Sequence, residues 1–206
     1  MFNFSARKEA SNDSLTTALR DVSVEITASP VQPSEYALVL KGFLSPGWIG
    51  RLTAGLAQHR ISILWGEAEK VSAYAWHATF RLKSAQAATA PLSIDYVWLA
   101  NNEVAKDRAC APIVLRDFRI ESGNRHQGSL YLEIKGVDRL GFLGDLLDYF
   151  SSRCLFPVKM KVETKGDAAV DKFWLRGVGG SLPSESVASA MQENLDRLVT
   201  SEWATI

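Results

Sequence analysis

Long apolar runs, a surplus of one charge, and cysteine are all scarce in this sequence. No window approaches the roughly 18 consecutive apolar residues of a membrane span, and the start, Met1 to Glu9, lacks the apolar core of a signal peptide. The expected location is cytoplasmic, with no membrane partner. Lys plus Arg number 23 and Asp plus Glu number 23, so the chain has no net field to gather nucleic acid, and no RNP-type aromatic run is present. No nucleic-acid partner is expected. Cys110 and Cys154 lack CxxC spacing and read as two reduced thiols. His59, His77 and His126 stand far apart without metal-ligand spacing, so no metal site is expected. A nucleophile elbow, a phosphate loop with its Lys-Ser/Thr ending and the paired aspartates of a nucleotidyltransferase are also missing. Together these absences argue against an enzyme and against a bound cofactor.

What is present is a repeat. Sliding the 206-residue sequence by 94 positions aligns Lys41, Gly42, Gly47, Gly50 and Leu52 with Lys135, Gly136, Gly141, Gly144 and Leu146. Apolar pairs extend the match: Leu38 with Leu132, Leu40 with Ile134, Trp48 with Phe142, Ile49 with Leu143. A second block, Leu19, Arg20, Asp21, Val22, Val24 and Glu25, matches Leu115, Arg116, Asp117, Phe118, Ile120 and Glu121 at a shift of 96. The duplicated unit therefore begins upstream of its glycines.

Periodicity gives each unit its order. In the second, Leu130, Leu132 and Ile134 alternate with polar residues as a strand does, and Leu143, Leu146, Leu147, Phe150 and Cys154 fall on one helix face. Val158, Met160 and Val162 mark a strand, Lys165, Gly166 and Asp167 a turn, and Ala169 to Arg176 another strand. Val187, Met191, Leu195 and Leu198 form the buried stripe of a last helix near Pro183. The first unit repeats this with strands at Tyr36 to Gly42, Ile61 to Glu69 and Ala73 to Lys83, a helix carrying Ile49, Leu52 and Leu56, and a second helix at Pro91 to Lys106. A further strand follows at Ile113 to Glu121.

Strand, helix, strand, strand, helix is the order of the split βαβ, or ferredoxin-like, sandwich. The expected class is α+β, with two ferredoxin-like βαββαβ sandwiches in tandem. Residues 1–20 read as an extension, 21–110 as the first domain with a leading strand at 21–27, and 111–206 as the second. The strand at 113–121 is placed as closing the first sheet. Too little chain follows the last helix to close the second, so the early strand is expected to complete it, within the chain or from a partner chain.

The block Val137, Asp138, Arg139, Leu140, Gly141, Phe142, Leu143 resembles the Asp-Arg-Pro-Gly-Leu-Leu turn of ACT domains, with Leu140 where the family usually has proline. Ala169, Val170, Asp171, Lys172 and Phe173 resemble the third strand of the ACT repeats in bacterial uridylyltransferase/uridylyl-removing enzymes and in the glycine cleavage repressor. The resemblance implies a non-catalytic regulatory module that binds an amino acid or similar small metabolite at an interface between two ACT units, forms a homodimer and signals to a separate effector protein. On this reading Asp138, Arg139, Leu140, Gly141, Phe142 and Leu143 form the ligand site. Backbone N–H groups at the helix start would attract a carboxylate and Asp138 an ammonium group. The same aspartate could merely complement the helix dipole. In the first unit Leu44 stands at the aspartate's position, which supports the alternative of a ligand-free dimerisation scaffold with degenerate sites.

Overall fold

Apolar and polar side chains alternate along eight segments, and each becomes a strand with one face in a common core. The computed structural model describes residues 22–73, 75–85, 91–103, 112–122 and 125–199. The strands are β1 (Ser23–Ala28), β2 (Glu35–Phe43), β3 (Ile61–Lys70), β4 (Ala75–Ser84), β5 (Leu115–Glu121), β6 (Leu130–Val137), β7 (Phe156–Lys165) and β8 (Ala168–Arg176). They form one antiparallel sheet in the order β1-β2-β4-β3-β7-β8-β6-β5. The helices among the described residues are α1 (Trp48–Gln58), α2 (Tyr96–Asn101), α3 (Phe142–Ser151) and α4 (Glu185–Asp196). Leu38, Phe80, Val162 and Phe173 of the sheet join Leu52, Leu56, Leu146 and Phe150 of α1 and α3 in a single core. The class is α+β, and β1 to α2 form a first half, β5 to α4 a second.

Edge pairing departs from the sequence expectation. The early strand does not complete the second sheet: β1 pairs with β2, from Ser23 opposite Lys41 to Ala28 opposite Tyr36. Nor does the strand near residues 113–121 close the first half, because β5 pairs with β6. Short connections explain both results. A hairpin closes with far less loop entropy than a strand brought from the other half of the chain, and Ser29 holds the β1–β2 loop by accepting the Val31 and Gln32 N–H groups. Each half thus opens with its own edge strand.

Two helix ends also differ. The segment expected as one helix from Pro91 to Lys106 is a 3₁₀ turn at Pro91–Ser93 followed by α2, because Asp95 caps a new start by accepting the Trp98 N–H at 2.8 Å. Residues 104–106 of that expected helix, like Cys110 and the extension 1–20, lie outside the described residues. Cys154 is not on the buried stripe of α3. The helix ends at Ser151, Cys154 turns left-handed (φ 56) and exposed, and Leu155 enters the core after donating to the Phe150 carbonyl.

The halves meet at an antiparallel seam, β3 against β7, running from Trp65 opposite Glu163 to Glu69 opposite Lys159. On the helix-free face Lys159 binds Glu69 at 3.0 Å and Lys161 binds Glu67 at 3.3 Å. On the other face α1 lies against α3, and Gly144 brings the α3 backbone up to Thr53. Position 55 distinguishes the halves. Gly55 lets α2 approach α1, since a Cβ there would lie 2.5 Å from Leu99 Cδ2. The equivalent residue in α3 is Tyr149, whose ring lies 3.6 Å below the Arg153 guanidinium, and α4 packs toward β5 instead.

Gly66 is the tightest point of the seam: a Cβ would lie 2.4 Å from Phe80 Cδ1 and 3.3 Å from Val162 Cγ2. Phe80 is fully buried and cannot swing away. Gly66→Val should therefore destabilise by about 1 to 3 kcal/mol despite valine's better strand propensity, read as a lower urea midpoint in equilibrium unfolding.

Candidate functional site

The turn between β6 and α3 is fixed at both ends. Asp138 N–H donates to the Asp167 carbonyl at 2.9 Å, anchoring the turn to the β7–β8 hairpin. Gly141 takes a φ of 88°, a left-handed conformation that glycine adopts without steric cost, and its carbonyl accepts the Asp145 N–H at 3.0 Å. Phe142 N–H donates back to the Arg139 carbonyl, also at 3.0 Å. The Arg139 guanidinium pairs with Asp145 at 2.6 Å and sits 5.8 Å from the centre of the Phe142 ring. One of the free helix-start N–H groups, that of Phe142, and the one acidic residue of the first turn are thus already engaged.

All six residues read from the sequence, Asp138, Arg139, Leu140, Gly141, Phe142 and Leu143, line one small cavity of about 50 Å³. Its opposite wall comes from the first half: Thr53 and Leu56 of α1, Ser62 and Ile63 of β3. Phe142 is a core residue, and the other five are half-buried. The volume admits a few water-sized groups, against the about 150 Å³ that holds a benzene ring.

Two groups that meet at this turn, Thr164 and Ile63, gave no sequence signal as site residues, and a buried neighbour, Asp171, gave one. Thr164 Oγ1 reaches Asp138 Oδ2 at 3.1 Å and the Ile63 carbonyl at 3.2 Å, so one hydroxyl proton has an acceptor in each half. Ile63 lies just beyond the last β3–β7 pair, Trp65 opposite Glu163, next to a register shift of β3 against β4. Asp171, only 3% exposed, faces the core from β8 beside Ile134 and Val162. Burial pushes its carboxyl up to about 8; a backbone hydrogen bond from Glu163 works against this, and the Asp138 charge adds to it. At neutral pH Asp171 is mostly protonated. An aspartate within the alternation Ala169, Asp171, Phe173, Leu175 was the signal available for it.

The first half closes the equivalent turn with its own side chains. Gly47 has a φ of 80°, and Leu44, at the aspartate's position, is buried. Arg51 donates to the Ala100 carbonyl at 2.8 Å and to Ser45 Oγ at 2.6 Å, while Ser45 Oγ lies 3.1 Å from Asn101 Oδ1.

Other candidates are internally paired. The lysines at 135, 159, 161 and 165 bind Asp117, Glu69, Glu67 and Glu163. His126 stacks on Tyr131 with centroids 4.6 Å apart and bonds Glu121 at 2.7 Å, which holds the Glu121 carboxyl below its usual range. Trp174 lies on the helix-free face against Tyr131, rather than in the core with Trp48 and Trp76. A larger open groove of about 570 Å³ runs along β5 and α4, with Arg116 bound to Asp167 and Arg119 to Glu121 and Glu133. Among the described residues no group of three His, Cys, Asp or Glu could hold a metal, and no helix is long and apolar enough to cross a membrane.

Asp171 makes stability depend on pH. Its folded value lies above the unfolded 3.8, so its contribution is fully present below about pH 4 and is lost as pH rises through about 8. Asp171→Asn removes that loss: melting curves should show the variant gaining on the wild type steadily from pH 4 to 8. In the first half, Arg51→Ala strips the hydrogen bonds to Ser45 and Ala100 and should cost about 1 to 3 kcal/mol in chemical denaturation.

Set beside known proteins, the chain matches no family model, no curated protein and no solved structure.

Proposed function

We propose that this chain is a tandem pair of ACT-like, ferredoxin-like units acting as a non-catalytic regulatory module that binds an amino acid or a similarly small metabolite. Each half would be a permuted form of the sandwich, with the closing strand at its beginning. The observation that carries the reading is the cavity itself: the turn that resembles the ACT motif lines it on one side, and the other half of the chain lines it on the other. A ligand there touches both halves and biases their packing, and that change is what a separate effector protein would sense. Regulation of this kind requires two packings with different ligand affinity.

Asp138 supplies the charge for an α-ammonium group, and Thr164 orients that carboxylate. The small volume admits the ammonium end, leaving the rest of the ligand at the mouth. A second reading, a ligand-free dimerisation scaffold, is favoured by one observation: the first-half turn is closed by Leu44, Arg51 and Asn101. Both readings leave the chain without a catalytic group.

Isothermal titration against the twenty amino acids, after a thermal-shift screen, separates them. Binding of at least one compound, lost in Asp138→Ala, is the expected outcome for a sensor. Absence of binding at millimolar ligand by folded protein selects the scaffold.

A further inference from the structure

The cavity wall is rich in acceptors. Asp138 presents a carboxylate, and Ile63 of the other half a carbonyl held within reach of the same Thr164 hydroxyl. Ser62 adds a hydroxyl from β3. The cation nearest the turn, Arg139, is turned onto Asp145 and over the Phe142 ring. A carboxylate entering here would meet the like charge of Asp138, whereas a primary ammonium group carries three N–H donors and a matching charge. The volume suits a group of that size.

We infer that the inter-half cavity is a primary-ammonium pocket, lined by Asp138 and Ile63 and organised by the Thr164 hydroxyl that bridges the Asp138 carboxylate and the Ile63 carbonyl, for which a ligand carboxylate is dispensable. The inference rests on the proposed binding role and narrows its ligand to the class R–NH₃⁺, amines included. Thr164 is the positioning residue. While the site is empty its single proton is shared between Asp138 and Ile63; an ammonium group that occupies Asp138 leaves that proton to Ile63 across the seam. Recognition of the amine and contact between the halves are thereby linked through one hydroxyl.

The test titrates methylammonium, ethanolamine, glycine and acetate into the full chain, followed by NMR shifts of the residue 62–63 and 138–144 amides. Methylammonium, ethanolamine and glycine should bind and acetate should not. Asp138→Asn should abolish amine binding. Thr164→Val should weaken it about tenfold or more, with Thr164→Ser restoring it; melting curves check that each variant is folded. Glycine binding without the two simple amines overturns the inference and leaves the amino-acid reading standing. Amine binding with no response to any of the twenty amino acids keeps the pocket and removes that reading. Silence from every amine and amino acid removes both, and equal binding by wild type and Thr164→Val removes the role of Thr164.

Discussion

The backbone pairing of β3 with β7 is the constraint on which the rest of the molecule depends. Five residue pairs, Trp65 with Glu163 through Glu69 with Lys159, turn two four-stranded sheets into one of eight. Because both sheets keep their helices on the same side, closing that seam also presses α1 onto α3 and leaves the small cavity between the β6–α3 turn and the start of β3. Gly66 and Gly144 permit the two close approaches, one within the sheet and one between the helices. Where the ladder ends beyond Trp65, the Ile63 carbonyl meets a hydroxyl of the other half.

Most strands and helices were legible because their signals are local. Alternation along β4, with Trp76, Ala78, Phe80 and Leu82 on one side, needs no knowledge of what lies beside it. Neighbour choice is a different matter, since period two says which face is buried and nothing about the partner strand. The pairings of β1 and β5 differ from the sequence expectation for that reason, even though the match of Val22 and Val24 with Phe118 and Ile120 implies that both halves open with equivalent strands. The turn at Asp138 to Leu143 stood out through its resemblance to the ACT turn, carried by Asp138, Arg139 and Gly141 between a strand and a helix. Thr164 and Ile63 did not, being 101 residues apart and brought together only by the seam.

Comparing the two turns shows what duplication has preserved. Ser45 and Arg51 of the first half correspond, 94 positions on, to Arg139 and Asp145 of the second. In each case the turn residue is tied to the helix residue six places later at 2.6 Å, but the arginine has changed ends. Geometry was kept while the arginine's partner changed from a neutral serine on the turn to a carboxylate on the helix. With the arginine on the helix, the first turn is stapled to α2 through Ala100; with it on the turn, Asp138 of the second is left to Thr164. One half thus serves as a wall, the other as a mouth.

That each half begins with its own edge strand bears on how the chain is made. Synthesis delivers β1 to β4 with α1 and α2 before any of the second half exists, and those elements complete a four-stranded sheet among themselves. Had β1 belonged to the second half, it would have waited unpaired for roughly a hundred residues, several seconds at ribosomal rates. The β3 edge, which later pairs with β7, is open in that interval, with Glu67 and Glu69 on it as charged guards until Lys161 and Lys159 arrive.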